Sequence, residues 1–559
     1  MHGGLAEILK VTEDKDEWYR ITLYRLIEIC KRAASKYTRS KVRKKMPKEF
    51  AYVIDELLHV DYNDENKRVY YGEIIRAIID TKVADKFISA ICELIQNLTI
   101  DNLHIIGEIF DRGPRADIIM NELMQFHDVD IQWGNHDISW MGAATGNPAC
   151  VCNVLRIAIS YNSFDVLEDG YGINLRPLSM FAAKVYRDDP CTRFTPKILD
   201  QNIYDAVDPG LAAKMHKAIA VLQFKVEGQI IRRHPGYKMD DRILLEQVDY
   251  NAGTVTIGGK SYPLLDTNFP TIDPAHPLKL SKEEEELLHT LVLSFKHSEL
   301  LHRHIRFLYA RGELYKCCNG NLMYHGCIPM KEDGSFEEMI CDGEPLSGRA
   351  LMDYISGQIR QAYFLNDGEP GKERAKDFMW YLWCGRKSPL SGRNIKTFER
   401  TYVKDETTWH EESNPYYRFY EEEKVCNMIL HEFDLYSERS HIINGHTPVR
   451  TSKGEHPVRA NGRLMVIDGG FCKSYHKTTG IAGYTLIFNS HGIRIKSHQP
   501  FQSVFAALTE NKDIESKSEL VETEKERLMV RDTDTGKKIK EDIEGLKMLL
   551  RVYREGDLE

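Results

Sequence analysis

The sequence predicts an α/β fold in which helices flank a largely parallel β-sheet. Three observations support this prediction. Helical periodicity fills much of the first hundred residues, short apolar runs typical of buried strands recur further along, and those runs alternate with helical stretches. The chain has 559 residues, of which 42% are hydrophobic. Because this length exceeds what one hydrophobic core usually supports, we expect several domains, or one domain with large insertions.

The helical part extends from Trp18 to about Leu98. Its clearest segment, "ADKFISAICELIQNL", places six apolar residues on one stripe: Phe87, Ile88, Ile91, Leu94, Ile95 and Leu98. The predicted strands are five short runs: "LHII" (103–106), "DIQW" (130–133), "NLMY" (321–324), "HIIN" (441–444) and "LMVID" (464–468). A helical stretch follows the second run, from about Ile138 to Ser160.

These elements predict four parts of the chain. Residues 1–161 would form the first part of the core with a helical insertion, and residues 299–498 the second part. Residues 162–298 contain no apolar run that ends in a motif of this kind, so we expect them to form an inserted subdomain. Within it the sequence predicts a hairpin at "NAGTVTIGGKSY" and a helix from about Ser281. Residues 499–559 predict a charged helical extension. Its apolar residues have amphipathic spacing, which suggests packing or assembly into a homo-oligomer: Ile539, Ile543, Leu546, Leu550 and Tyr553.

Composition excludes several classes of protein. The formal net charge of −9 argues against general nucleic-acid binding, which requires a basic face. Apolar runs are too short to span a bilayer and charges interrupt the first thirty residues, so we expect a cytoplasmic protein without a membrane partner. The twelve cysteines show no C-x-x-C pair, so we expect reduced thiols without a structural zinc site.

Residues able to bind divalent metals follow four of the apolar runs. They are Glu108 and Asp111 after the first run, with Arg112 next to them, then Asn135, His136 and Asp137 after the second, and His325 and His446 after the next two. Ligands of α/β proteins gather at the carboxyl ends of strands. Carboxylate, amide and imidazole donors without thiolate suit Mn, Fe or Zn. Each motif alone could be a turn or a buried core histidine, but the ordered set favours a metal site, with Arg112 suited to a phosphate.

The ordered motifs "MHGG", "GEIFDRGP", "GNHD", "HGC" and "GHTP" resemble those of the calcineurin-like metallophosphoesterases, especially their Ser/Thr phosphatase branch. Longer stretches are similar to the bacterial class III fructose-1,6-bisphosphatases. They include "DIQWGNHDISWMGAATGNPACVCNVLRIAISYN", "QFKVEGQIIRRHPGYKMDDRILL", "WYLWCGRKSPLSG", "IDGGFCKSYHKTTGIAGYTL" and "DTDTGKKIKEDIEGLKMLLRVYREG". The resemblance extends over nearly the whole chain.

This resemblance implies a calcineurin-like core of β-sheets flanked by helices, with a large insertion and a helical C-terminal tail. It also implies hydrolysis of fructose 1,6-bisphosphate, a small-molecule sugar bisphosphate, to fructose 6-phosphate and phosphate in gluconeogenesis. A binuclear site would hold Mn²⁺, with Fe or Zn as alternatives. The implied metal ligands are His2, Glu108, Asn135, His325 and His446. His136 would be the general acid, Asp111 would orient it, and Arg112 would bind the substrate phosphate.

Two departures from the family pattern concern the metal site. The first motif of the family reads Asp-x-His-Gly, so "MHGG" supplies His2 but not the preceding Asp, and we expect that the chain lacks an N-terminal segment. Glu108 stands where the family has the Asp that bridges two metals. Both departures should weaken the site that uses His2, whereas the site with Asn135, His325 and His446 has its full set.

Three questions stay open at this stage. A protein or nucleotide phosphoesterase could use the same core. A catalytically degenerate homologue could retain one metal site for structure alone. The second phosphate of a bisphosphate needs further cations, and Arg232 and Arg233 could supply them or could form a solvated turn.

Overall fold

The computed structural model describes residues 14–59, 65–198, 208–510, 512 and 514–555. Within these ranges the helices are α1 (Lys15–Ala34), α2 (Arg39–Lys45), α3 (Ala51–His59), α4 (Glu65–Asp80), α5 (Ala84–Thr99), α6 (Ala116–Gln125), α7 (Asn135–Ala144), α8 (Pro148–Ser160), α9 (Arg176–Val185), α10 (Pro209–Arg233), α11 (Lys282–His297), α12 (Glu299–Arg311), α13 (Gly348–Phe364), α14 (Lys372–Cys384), α15 (Thr397–Tyr402), α16 (Tyr416–Phe419), α17 (Glu423–Glu432), α18 (Lys473–Thr479), α19 (Val504–Thr509) and α20 (Asp534–Glu555). They alternate with short strands, so the fold is mixed α/β as predicted.

The strands form several small sheets. They are β1 (Leu103–Ile105), β2 (Val129–Gln132), β3 (Val248–Asp249), β4 (Thr254–Ile257), β5 (Lys260–Pro263), β6 (Gly312–Glu313), β7 (Tyr315–Cys318), β8 (Asn321–Tyr324), β9 (Met339–Cys341), β10 (Glu344–Leu346), β11 (His441–Asn444), β12 (Val458–Arg459), β13 (Leu464–Val466), β14 (Gly483–Asn489), β15 (Gly492–His498) and β16 (Ser516–Thr523). The sheet orders are β1-β2-β6, β12-β13-β11-β8-β7, β14-β15-β16, β3-β4-β5 and β10-β9.

The five-stranded sheet has a parallel centre. Ile442 of β11 lies opposite Leu464 of β13 on one side and opposite Leu322 of β8 on the other. The edge strands β12 and β7 are antiparallel to their neighbours. Every residue of β2, β8 and β11 is buried, including polar residues such as Asp130, Gln132 and Asn444, as expected for strands covered on both faces. All five predicted strands are confirmed, but they divide between two sheets instead of joining one.

The described residues divide into two units, one within Met1–His104, Glu122–Asp130 and Gln502–Asp513, and a larger one within Ile105–Asn121, Ile131–Phe501 and Ile514–Glu559. The first unit contains α1–α5 around its own core, and this confirms the helical region predicted from Trp18 onward. Fully buried members of that core are Leu23, Ile27, Phe87, Ile91 and Leu94. The four-part division predicted from the sequence stays a prediction.

Hydrogen bonds at the N-termini of α8 and α11 determine where these two helices begin. The side chain of Asn147 accepts a hydrogen bond from the Cys150 amide at the start of α8, where Pro148 takes the first helical position. Ser281 and Glu284 form a capping box that begins α11 where the sequence predicts it. The hairpin of β4 and β5 also lies where predicted. The long helix α10, by contrast, was not predicted.

None of the helices in these described ranges has both the length and the apolar character needed to cross a bilayer. The twelve cysteines are all free thiols, and most of them are buried, as the sequence predicts.

Candidate metal centre and catalytic residues

Strand ends of the larger unit bring the predicted site residues together. Glu108, Asp111 and Arg112 lie in the segment after β1, Asn135 and His136 begin α7 just after β2, His325 directly follows β8, and His446 follows β11. His2, the remaining predicted ligand, lies outside the described residues.

Two groups of possible metal ligands share one carboxylate. Glu108, His325 and His446 form the first group, and Glu108, Asp111 and His136 form the second, each with ligand atoms within 4.8 Å of one another. The Glu108 Oε1 atom lies 3.6 Å from His325 Nε2, and its Oε2 atom lies 4.0 Å from His136 Nε2. Glu108 therefore lies between the two groups, as a bridging carboxylate must, despite its extra methylene.

The protonation of His325 is set by a backbone contact. Its Nδ1 atom lies 2.9 Å from the carbonyl oxygen of Ile106, and a carbonyl can only accept, so Nδ1 carries the proton. In the neutral ring Nε2 then carries no proton, and its lone pair could ligate a metal. Metal-binding histidines commonly show this arrangement. This Nε2 lies 3.2 Å from Nδ1 of His446, so two ring nitrogens face each other across the site.

Buried polar atoms without partners also point into this region. Among the described residues, Asp111 Oδ1, Asn135 Oδ1 and His446 Nε2 are buried and make no hydrogen bond within the protein. Leaving such atoms unpaired costs about 1–3 kcal/mol each unless another group satisfies them. An oxygen, an amide oxygen and an imidazole nitrogen would each be satisfied by a divalent cation of the Mn, Fe or Zn type. The residues present therefore fit a metal.

The charges of the cluster lead to the same conclusion. Burial, with Asp111 and Asp137 nearby, raises the pKa of Glu108 well above its usual value. Burial, with a smaller contribution from Asp111, raises the pKa of Asp468 to about 6. Burial lowers the pKa of His325 to about 4 and that of His446 well below its usual value. Burial and the mutual repulsion of the carboxylates thus disfavour their charged forms, which a bound cation would stabilise, and the imidazoles stay neutral and able to bind a cation.

Asp137, the residue after His136, holds this framework together. Its Oδ1 accepts hydrogen bonds from the backbone amides of Ile109 (2.9 Å) and Phe110 (3.1 Å), and its Oδ2 accepts one from Gly134 (3.0 Å). The segment that carries Glu108 is thereby fixed to the start of α7. The backbone at Gly134 approaches Glu108 so closely that an added Cβ would lie 2.3 Å from Glu108 Cγ, and only glycine fits there.

His136 and Asp111 form the predicted catalytic pair. Asp111 Oδ1 lies 3.3 Å from His136 Nε2, and the backbone amide of His136 donates a hydrogen bond to Glu108 Oε1 at 2.9 Å. Burial lowers the pKa of His136 to about 4, and the Asp111 carboxylate opposes this decrease. The edge of Trp383, from α14, packs against the imidazole with ring centroids 4.7 Å apart. The imidazole of His136 therefore lies between the Asp111 carboxylate and the Trp383 ring.

Truncation of Trp383 should reveal this confinement. We expect Trp383→Ala to lower kcat by about 10–100-fold, the usual cost of removing a group that orients a reactive residue, with little change in KM. Trp383→Phe keeps an aromatic edge against His136 and should retain most of the activity. Steady-state kinetics of the two variants test this, and equal losses in both would contradict a role in positioning His136.

Arg112 is held between two tyrosines. Its guanidinium lies 5.2 Å from the ring centroid of Tyr161 and 5.0 Å from that of Tyr475. Cation–π contacts of this kind fix the guanidinium plane without using its donors. Arg112 Nε lies 3.6 Å from Asp111 Oδ1, so the guanidinium lies beside the His136–Asp111 pair and carries N–H groups that could bind an anion.

The other arginine pair is already engaged. Arg232 makes ion pairs with Asp240 and Glu246, and Arg233 makes a forked contact with Asp377, with nitrogen–oxygen distances of 3.0–3.1 Å. These ion pairs at the end of α10 use donors that a second phosphate would need.

Sequence reasoning missed three residues of this region. They are Tyr161, Trp383 and Tyr475, although each lies inside a stretch that carries the family resemblance. Their motif membership was the available signal, but which of them touch the site follows only from the tertiary packing. Asp137 was predicted among the metal-binding residues, whereas the structure shows its carboxylate bonded to three backbone amides.

The fold and the donor set define a class of protein: an α/β protein with two groups of residues that could hold divalent cations beside an imidazole–carboxylate pair and an arginine. Comparison with known sequences then identifies the family. The family model described as Firmicute fructose-1,6-bisphosphatase matches residues 3–555. The chain belongs to this family.

Curated relatives support the same family. The fructose-1,6-bisphosphatase class 3 of Clostridium novyi (strain NT) is 52% identical over 552 residues, covering 98% of this chain and 83% of the relative. That of Clostridium tetani (strain Massachusetts / E88) is 53% identical over 553 residues, covering 98% and 83%. That of Listeria innocua serovar 6a is 51% identical over 552 residues, covering 99% and 84%. No solved structure matches the chain.

Proposed function

We propose that this chain hydrolyses fructose 1,6-bisphosphate to fructose 6-phosphate and inorganic phosphate, as a step of gluconeogenesis. The observation that carries the proposal is the pair of ligand groups joined at Glu108, with the His136–Asp111 pair and Arg112 beside them. Membership of the fructose-1,6-bisphosphatase family supports the choice of substrate.

The proposed cofactor is a pair of divalent cations, with Mn²⁺ as the expected ion. Glu108 would be shared by both, and Asn135, His325 and His446 would complete one of the two sets of ligands. When bound, such ions act as Lewis acids toward a phosphate and lower the pKa of a water molecule, so that it becomes a nucleophile near neutral pH.

The remaining chemistry belongs to side chains of this protein. Arg112, with its plane fixed by Tyr161 and Tyr475, would hold non-bridging phosphate oxygens through its N–H groups. His136 would protonate the departing sugar oxygen. Asp111 Oδ1 lies 3.3 Å from His136 Nε2 and favours the protonated ring, which burial alone would disfavour. The calcineurin-like arrangement of the core and a cytoplasmic location are part of the same proposal.

Phosphate release from fructose 1,6-bisphosphate tests the function. The purified chain should release phosphate with added Mn²⁺, lose that activity with excess chelator, and regain it when Mn²⁺ is restored in excess of the chelator. A phosphopeptide and a nucleoside monophosphate serve as comparison substrates. Preference for either of these would favour the alternative phosphoesterases, and inactivity toward all three would favour a degenerate homologue.

A further inference from the structure

The C-terminal helix α20 is almost without tertiary contacts. Its start is tied to the β7–β8 turn by two reciprocal hydrogen bonds: the Asn319 amide donates to Asp534 Oδ2 (2.6 Å), and the Asp534 amide donates to Asn319 Oδ1 (3.0 Å). Beyond that point Gly536 is the one buried residue of this fully described helix. Because most helical stability in proteins comes from the packing of an amphipathic face, packing by another element would stabilise this helix of 22 residues.

The apolar residues of α20 follow a coiled-coil repeat. They are separated by four, three, four and three residues, and this spacing assigns them to alternating d and a positions: Ile539, Ile543, Leu546, Leu550 and Tyr553. Their exposed fractions range from 40% at Ile539 to 72% at Tyr553. The seam is therefore continuous and uncovered. β-Branched Ile543 at a and Leu546 at d favour two parallel strands, whereas Leu550 at a and Ile539 at d do not share this preference.

The charges beside the seam select the partner and its direction. The three e positions are all basic, at Lys540, Lys547 and Arg554, and the g positions between Ile539 and Tyr553 are Asp542 and Leu549. In a parallel pair each g residue faces the next e residue of the other helix, so Asp542 would meet Lys547 of a second copy in both directions. In an antiparallel pair e would face e, and the basic residues would repel one another.

We propose that α20 forms a parallel two-stranded coiled coil with α20 of a second copy of this chain, and that this seam holds the protein as a homodimer. The pattern fits a second copy because the same helix supplies both the acidic g residue and the basic e residue. Lys547 also lies 2.8 Å from Glu544 of its own helix, but both side chains are exposed and such pairs are weak.

Substitution on and off the seam tests the proposal on the full chain. We expect Leu546→Glu with Leu550→Glu to raise the dimer dissociation constant at least about tenfold, because charges would replace two adjacent a/d contacts. Met548→Glu is the matched control: Met548 is 68% exposed against 65% for Leu546, but it occupies the f position, opposite the seam. Sedimentation equilibrium should find the wild type and the control near twice 64.6 kDa and the double variant near that mass.

A charge exchange separates loss of the seam from loss of the helix. Lys547→Asp would place two acids opposite each other in the parallel pair and weaken the dimer several-fold, and adding Asp542→Lys should restore it. A monomeric wild type, a dimer that survives the double seam variant, equal damage by Met548→Glu, or strengthening by Lys547→Asp alone would each overturn the proposal. Far-UV circular dichroism and thermal unfolding, measured alongside, show that each variant is folded.

Discussion

Replacement of His136 by asparagine should lower kcat for fructose 1,6-bisphosphate hydrolysis by about 10²–10⁴-fold, the range expected when a general acid is removed. The substitution leaves the backbone amide that binds Glu108 in place, so both ligand groups should keep their geometry. We therefore expect Mn²⁺ binding to change little. Single-turnover kinetics and calorimetric Mn²⁺ titration of the same sample measure the two effects separately.

His304→Asn is the matched control for this variant. His304 is also fully buried in the larger unit, and burial also lowers its pKa to about 4, but its ring bonds to the Tyr171 hydroxyl and Asn121. Its loss should reduce stability without a comparable fall in kcat. If His136→Asn instead removes a Mn²⁺ equivalent from the titration, His136 is a metal ligand, as its place in the second group also permits.

Replacement of Glu108 by glutamine should produce the other large loss. Glu108 is the carboxylate common to both ligand groups, so removal of its charge weakens two cation sites with one substitution. We expect Mn²⁺ affinity and Mn²⁺-dependent turnover to fall by more than the roughly 10–100-fold typical of residues that only orient a ligand. Isothermal calorimetry at several Mn²⁺ concentrations and phosphate release are the measurements.

The variant Glu108→Asp shows whether the charge of the carboxylate or the length of the side chain matters for cation binding. It keeps the carboxylate and shortens the side chain by one methylene, and it relieves the close approach to Gly134. We expect binding within about tenfold of the wild type, since the charge that opposes the cations is conserved. A glutamine variant as active as the aspartate variant would show that the shared carboxylate does not hold the metals.

The sequence predicted strand positions better than sheet arrangement. "HIIN" and "NLMY" match β11 and β8 residue for residue, because strands buried on both faces consist of apolar residues bounded by glycine or turns. Whether such strands join one sheet or two depends on contacts between distant segments, and no local pattern records them. The helix α10 was not predicted because its residues are buried on most sides of the helix, so its sequence lacks a single apolar stripe.

The sequence predicted the candidate metal ligands of the site but not the aromatic residues that contact Arg112 and His136. Glu108, Asn135, His325 and His446 have side chains whose chemistry marks them wherever they follow a strand. Tyr161, Tyr475 and Trp383 act by contact with Arg112 and His136, and an aromatic side chain is more often a core residue than a support of this kind. Their role follows from distances that only the folded chain provides.

Assembly of the centre from strand ends far apart along the chain also has a consequence for biosynthesis. Glu108 leaves the ribosome roughly 340 residues before His446, which at about 5–20 residues per second is a delay of roughly 20–70 s. During that interval the nascent chain exposes acidic and imidazole side chains that have not yet met their partners. The ligand group that contains His446 would thus be completed late in synthesis, after β11 and the loop that follows it, whereas Glu108, Asp111 and His136 of the other group are translated early.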